Sequence, residues 1–125
     1  MGILSYKDLL IWQKGLDLAV NVYQLTKDFP ESEKFALSSQ IRRSASSIPA
    51  NIAEGYGRQS TKSYSQFVKI SRGSLYELET HLLLAEKLEY IASKELLNKV
   101  KEQLLEESKM LTAFIKKIDN KDTLQ

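Results

Sequence analysis

Apolar residues recur along the chain at spacings of three and four, the period of a helix buried on one face, and no stretch alternates as a strand does. Four helical segments are predicted. The first covers about 9–26, where Leu9, Trp12, Leu16, Ala19 and Tyr23 form one stripe. Ser5 and Asp8 ahead of it resemble a capping box with Asp in place of Glu. Phe29-Pro30 closes it, because the residue before a proline avoids the α region. The second covers about 33–56, with Leu37, Ile41, Ala45, Ile48 and Ile52 as its stripe. Pro49 lies inside it, removes one donor and presses on the Ala45 carbonyl, so a kink is predicted between 45 and 49. Ser44, Ser46 and Ser47 surround the kink, with hydroxyls able to bond freed backbone groups. Gly55 and Gly57 end the helix, one of them predicted at the left-handed position after the cap.

The third segment covers about 61–88 with Ser60 as N-cap. Val68, Ser71, Leu75, Leu78, Leu82 and Ala85 make a seam that Tyr64 extends. The fourth covers about 94–118, capped by Ser93 and lined by Leu97, Val100, Leu104, Leu111, Ile115 and Ile118. Glu107 and Ser108 interrupt that stripe, and 119–125 are expected to fray. Short connections join the four segments. The expected fold is all-α: one domain over 1–125, an antiparallel up-down-up-down four-helix bundle with a Pro-kinked second helix. Ile11, Leu18, Val22, Phe35, Phe67, Tyr76, Leu83 and Phe114 fall off the inward stripes. A widened stripe absorbs about half of them. The rest predict an exposed apolar patch and hence a homo-oligomer.

Composition narrows the chemistry. The 125 residues hold no Cys and one His, which excludes disulfides, thiolate metal sites and cysteine nucleophiles and leaves no material for a His-rich centre. His81 lies beside the Leu78/Leu82 seam with Glu77 four residues before it, the arrangement of a base oriented by a carboxylate. A boundary histidine in an ion pair explains the same two residues more simply. Glu102, Glu106 and Glu107 read as a solvated face. Gly55-Tyr56-Gly57 ends a helix, whereas phosphate loops open one. No catalytic residue, cofactor or metal is expected. The apolar runs at 9–12 and 82–85 are far too short to span a bilayer, Tyr6 stands where a myristoylation motif wants Ser or Thr, and a cytoplasmic location is the expectation.

Charge is unevenly spread. The chain is +2 overall, but 34–74 carries Lys34, Arg42, Arg43, Arg58, Lys62, Lys69 and Arg72 against Glu54 alone, a local +6. All four arginines are there, and arginine makes planar bidentate contacts with phosphate. Arg42, Arg43, Arg58, Lys62, Lys69 and Arg72 are therefore the candidate nucleic-acid-binding residues, with Tyr56 and Tyr64 near enough to stack on bases. An ion pair between Arg58 and Glu54, four residues apart, competes for one of them.

The run Tyr6-Lys7-Asp8-Leu9, then Trp12-Gln13-Lys14, Phe29-Pro30, Gln40-Ile41-Arg42-Arg43-Ser44-Ala45, Ser47-Ile48-Pro49-Ala50-Asn51-Ile52-Ala53-Glu54-Gly55 and Gly73-Ser74-Leu75-Tyr76-Glu77-Leu78-Glu79 resembles the four-helix-bundle proteins encoded in intervening sequences of bacterial 23S ribosomal RNA genes. The resemblance covers nearly all of 6–91. It implies a homopentameric ring. It also implies kinship with the accessory variability protein of diversity-generating retroelements, a strongly basic protein that binds nucleic acid and a reverse transcriptase. Trp12, Pro49, Asn51, Glu54 and Gly55 are then architectural residues. Two functions remain open at this point. One is a non-catalytic oligomer that binds RNA or DNA through the basic patch. The other is a scaffold that docks a protein partner, such as a polymerase, with no nucleic-acid affinity of its own.

Overall fold

The computed structural model describes residues 2–123, with side chains over 2–120. Four helices carry it: α1 (Leu10–Thr26), α2 (Leu37–Tyr56), α3 (Thr61–Lys87) and α4 (Lys94–Thr123), with 3-10 turns at Tyr6–Asp8 and Glu31–Glu33. The described residues contain no strand. α2 packs on α1 and α3, and α4 packs on α3 and α1, so the four close into a bundle around one apolar core.

The helix starts follow local chemistry. Ser5 and Asp8 do form a capping box, but around the 3-10 turn; α1 itself begins after Leu9 without a side-chain cap. α2 begins at 37 and not 33, because 31–33 form their own turn and the Glu33 carboxylate accepts from the Leu37 N–H at 3.2 Å. Ser60 and Ser93 cap α3 and α4 through their hydroxyls, at 3.0 Å to Ser63 N and 3.1 Å to Leu96 N. Neither Gly55 nor Gly57 is left-handed; Gly57 has φ −77°. Gly55 is instead a point of close approach. A Cβ there would meet Phe67 Cβ at 2.9 Å and the Tyr64 carbonyl at 3.2 Å, so glycine lets α2 and α3 touch. The left-handed residue among those described is Glu89 (φ 63°). It closes α3 in a Schellman arrangement, with Tyr90 N–H on Ala85 O and Glu89 N–H on Glu86 O, both at 3.0 Å.

The stripes of α2, α3 and α4 bury as expected. α1 does so only in part: Ala19 is buried and Leu9 and Trp12 pack partly against the core, but the main core face is Ile11, Gly15, Leu18, Val22 and Leu25, and the expected inward residues Leu16 and Tyr23 face outward. Both stripes repeat every three or four residues, and the one containing Gly15 wins because it admits Ile48 and Glu107 to contact. Of the residues expected off-stripe, Ile11, Leu18 and Val22 are thus core, Phe67 and Phe114 are half-buried, and Phe35, Tyr76 and Leu83 are exposed.

Two more expectations are corrected on α4. The helix continues through Thr123, so 119–123 are helical; 124–125 lie outside the described residues. Glu107 is not solvated. It occupies the seam between Leu104 and Leu111, is 1% exposed, and neither carboxylate oxygen has a hydrogen-bond partner. Burial, then the neighbouring Glu106 charge, push its pKa up to about 8, with Lys14 opposing.

Pro49 is buried within α2. The serines around it bond one turn back: Ser44 Oγ donates to Ile41 O at 3.0 Å and Ser46 Oγ to Arg43 O at 3.2 Å, and neither reaches the Ala45 carbonyl. Asn51 Nδ2 donates to both O and Oγ of Ser47 at 2.8 Å, and Ser47 meets Ser74 of α3 at 2.8 Å. Ser71 Oγ of α3 donates to Ile48 O at 2.8 Å, a buried polar tie between the same helices.

Candidate self-association and nucleic-acid surfaces

The outward stripe of α1 does not meet water alone. Trp12, Leu16, Val20 and Tyr23 form one wall of an open groove of about 580 Å³, and Pro49, Ala50 and Ala53 of α2 form the other. Tyr6 caps one end, edge-on to Trp12 at 5.2 Å between centroids. Val20 is 54% exposed and Leu16 42%, large fractions for apolar side chains on a continuous face. The small alanines keep the α2 wall low. α3 exposes a different apolar set, including Tyr76 and Leu83. A further apolar cleft of about 540 Å³ lies between the N-terminal segment, α3 and α4, lined by Ile3, Leu9, Tyr64, Phe114 and Ile118.

The six basic candidates are not one patch. Arg42 turns toward α1: its Nε donates to Thr26 Oγ1 at 2.8 Å, and its guanidinium lies 4.9 Å from the centre of the Tyr23 ring. Arg43, its neighbour in sequence, is exposed. Arg58 pairs with Glu54 at 3.1 Å, as its spacing suggested, and lies over the Phe67 ring at 4.5 Å. Lys62 is exposed at the start of α3. Lys69 pairs with Asp119 at 3.1 Å, and Arg72 is close enough to act on the same carboxylate. Hydrogen bonds from the Ser65 hydroxyl and Lys69 hold the Asp119 carboxyl below its usual range. Lys69 and Arg72 are therefore brought together around one acid, while Arg42 and Arg43 lie on α2, Arg58 in the α2–α3 connection and Lys62 at the start of α3.

The aromatic candidates are partly engaged. Tyr64 packs edge-on to Phe114 at 5.5 Å and to Tyr56 at 6.4 Å. Burial, with Tyr56 beside it, pushes the Tyr64 phenol up to about 12. His81 is half-buried with Nδ1 unpartnered, and Glu77 is exposed and makes no bond to it. Among the described residues no group of three or more His, Asp or Glu could hold a metal, and no helix is long and apolar enough to cross a membrane. The apolar groove was hidden from sequence reasoning because its α1 residues were assigned to the core.

Comparisons agree with this architecture. A family model described as 23S rRNA-intervening sequence protein matches residues 7–113. A crystal structure of a protein of unknown function from the S23 ribosomal protein family of Bacteroides thetaiotaomicron is similar at 32% identity and a TM-score of 0.74. The similarity covers 86% of this chain and 99% of that one. No curated protein matches the chain.

Proposed function

The chain belongs to the 23S rRNA-intervening sequence protein family, and from that premise we propose that it is a non-catalytic homo-oligomer, a pentameric ring, that holds structured RNA on the basic surface of α2 and α3. The observation that carries this reading is the open apolar groove between α1 and α2. An aqueous monomer would leave Trp12, Leu16, Val20 and Tyr23 on one continuous wetted face. A second, unlike apolar face on α3 supports a head-to-tail contact, which closes into a ring when the rotation fits. Assembly then repeats the +6 middle segment around the ring. Repetition multiplies phosphate contacts without requiring any one arginine to be wholly free.

Two measurements test the reading together. Val20→Glu with Leu16→Lys places charge in the groove at positions that do not support the core, so the helical signal is expected to persist while light scattering reports a smaller particle. The intact oligomer is expected to bind a structured RNA with affinity that falls steeply as salt rises. An oligomer of unchanged size after the groove substitutions would refute the assembly. Absence of binding at low salt by an intact oligomer would refute the nucleic-acid role. A protein captured equally well after nuclease treatment would then favour the scaffold.

A further inference from the structure

At the start of α2 a small polar cleft of about 190 Å³ opens between the two ends that α1 and α2 bring together. Lys27, Lys34 and Arg42 line it. Arg42 is held by Thr26 and by the Tyr23 carbonyl at 3.5 Å, which leaves three of the five guanidinium N–H groups free of these bonds. No carboxylate among the described residues pairs with Arg42. α2 begins without a side-chain cap on Ala36. Glu33 takes only its first N–H, that of Leu37, and the N–H groups of Ser38 and Ser39 have no acceptor among the described residues. Ser38 also lines the cleft; it is 9% exposed, and its hydroxyl has no hydrogen-bond partner.

The geometry points to an oxyanion site here, taking a phosphate group. The N-terminal end of α2, with the positive end of its dipole, lies at the cleft together with the Ser38 hydroxyl, which opens to solvent there, and Lys27, Lys34 and Arg42 line the same space. Each of these groups donates to a phosphate oxygen or attracts its charge. Two carboxylates stand near. Glu31 lines the cleft and pairs with Lys34 at 3.9 Å, a long contact on a side chain 90% exposed, where solvent screens it. Glu33 is turned to Leu37 N–H and to the Tyr90 hydroxyl, at 2.9 Å. The site includes Lys27 and Lys34, which are not among the six basic candidates, and gives Arg42 a phosphate-facing role alongside its bond to α1. It deepens the nucleic-acid reading and rests on that reading only for the source of the phosphate.

Inorganic phosphate, titrated against chloride of matched ionic strength, is the first probe. Backbone amide spectra of the deuterated oligomer are the readout. The Ser38 and Ser39 amides are expected to move saturably, with Lys27→Gln plus Lys34→Gln weakening the apparent affinity about fivefold. Both lysines are exposed, so the fold is retained, and unshifted core amides verify it. Amides at Ser38 and Ser39 that stay still through tens of millimolar phosphate overturn the site, whatever RNA does. A structured RNA is the second probe. If it moves the same two amides, the ligand is a backbone phosphate. If inorganic phosphate moves them and RNA binds nowhere on the oligomer, the site stands for a free oxyanion and the nucleic-acid reading alone fails.

Discussion

Replacing Glu107 by Gln keeps the shape of the side chain and removes its proton equilibrium. In the folded bundle the carboxyl faces Gly15, where a Cβ would come within 2.8 Å of Oε2, and has no hydrogen-bond partner. Its pKa rises from the ordinary 4.5 to about 8. The raised value belongs to the folded state, so the unfolded chain gives up this proton first. Below pH 4.5 both states hold the proton and there is no penalty. Between 4.5 and 8 the unfolded state ionises while the folded state does not, and stability falls as pH rises; above 8 the loss is complete. At pH 7 the interval is about 2.5 pH units, which at 1.36 kcal/mol per unit makes ~3 kcal/mol. Glu107→Gln should therefore match the parent near pH 4.5 and exceed it by about 3 kcal/mol at pH 7. Urea unfolding from pH 4.5 to 9, at fixed ionic strength and fixed protein concentration, measures this. Two parallel curves would refute the reasoning and would mean that the carboxylate ionises in the folded bundle at its ordinary pKa. A variant less stable at pH 8 would mean that the charge has a partner.

Other substitutions test other joints. Gly55→Ala drives a Cβ toward the Tyr64 carbonyl and Phe67, neither of which is a flexible tip, and should cost about 1–3 kcal/mol in denaturant unfolding. Glu89→Gly relieves a left-handed non-glycine residue and should raise stability by about 1 kcal/mol, read from the same transition. Pro49→Ala restores a backbone donor in α2 and alters one wall of the groove; sedimentation should report a changed oligomer size with the helical content kept, and an unchanged size would count against Pro49 in assembly.

How much of this was legible in the sequence depended on the helix. The seam of α3 from Val68 to Ala85 repeats without a break and faces inward as read, while Tyr76 and Leu83 fall off it and stay exposed. α1 carries two interleaved stripes, and periodicity cannot say which of them the other helices cover. Glu107 looked like an interruption because its type is polar, yet its position three residues after Leu104 and four before Leu111 keeps the seam in phase. Gly55 was read through its backbone freedom, whereas its missing Cβ is what the packing uses. Charge placed the arginines in the middle third of the chain, but the acceptor for Arg42 lies sixteen residues away on another helix. No local pattern encodes that contact.

The crowding around α1 has an evolutionary consequence. One stripe is in the core and another walls the groove. Along its flank Lys14 meets Glu106 and Asn21 meets Gln103, both at 2.9 Å, and the Gln13 amide donates back to Lys7 at 2.8 Å. Almost every substitution there meets an obligation to the fold, to the groove or to a partner on α4. The outer face of α4, with its lysines and glutamates in solvent, carries few such obligations. Among the described residues, the unpaired outward lysines and glutamates of α4 are therefore where substitution costs the fold least, and α1 offers few positions of that kind.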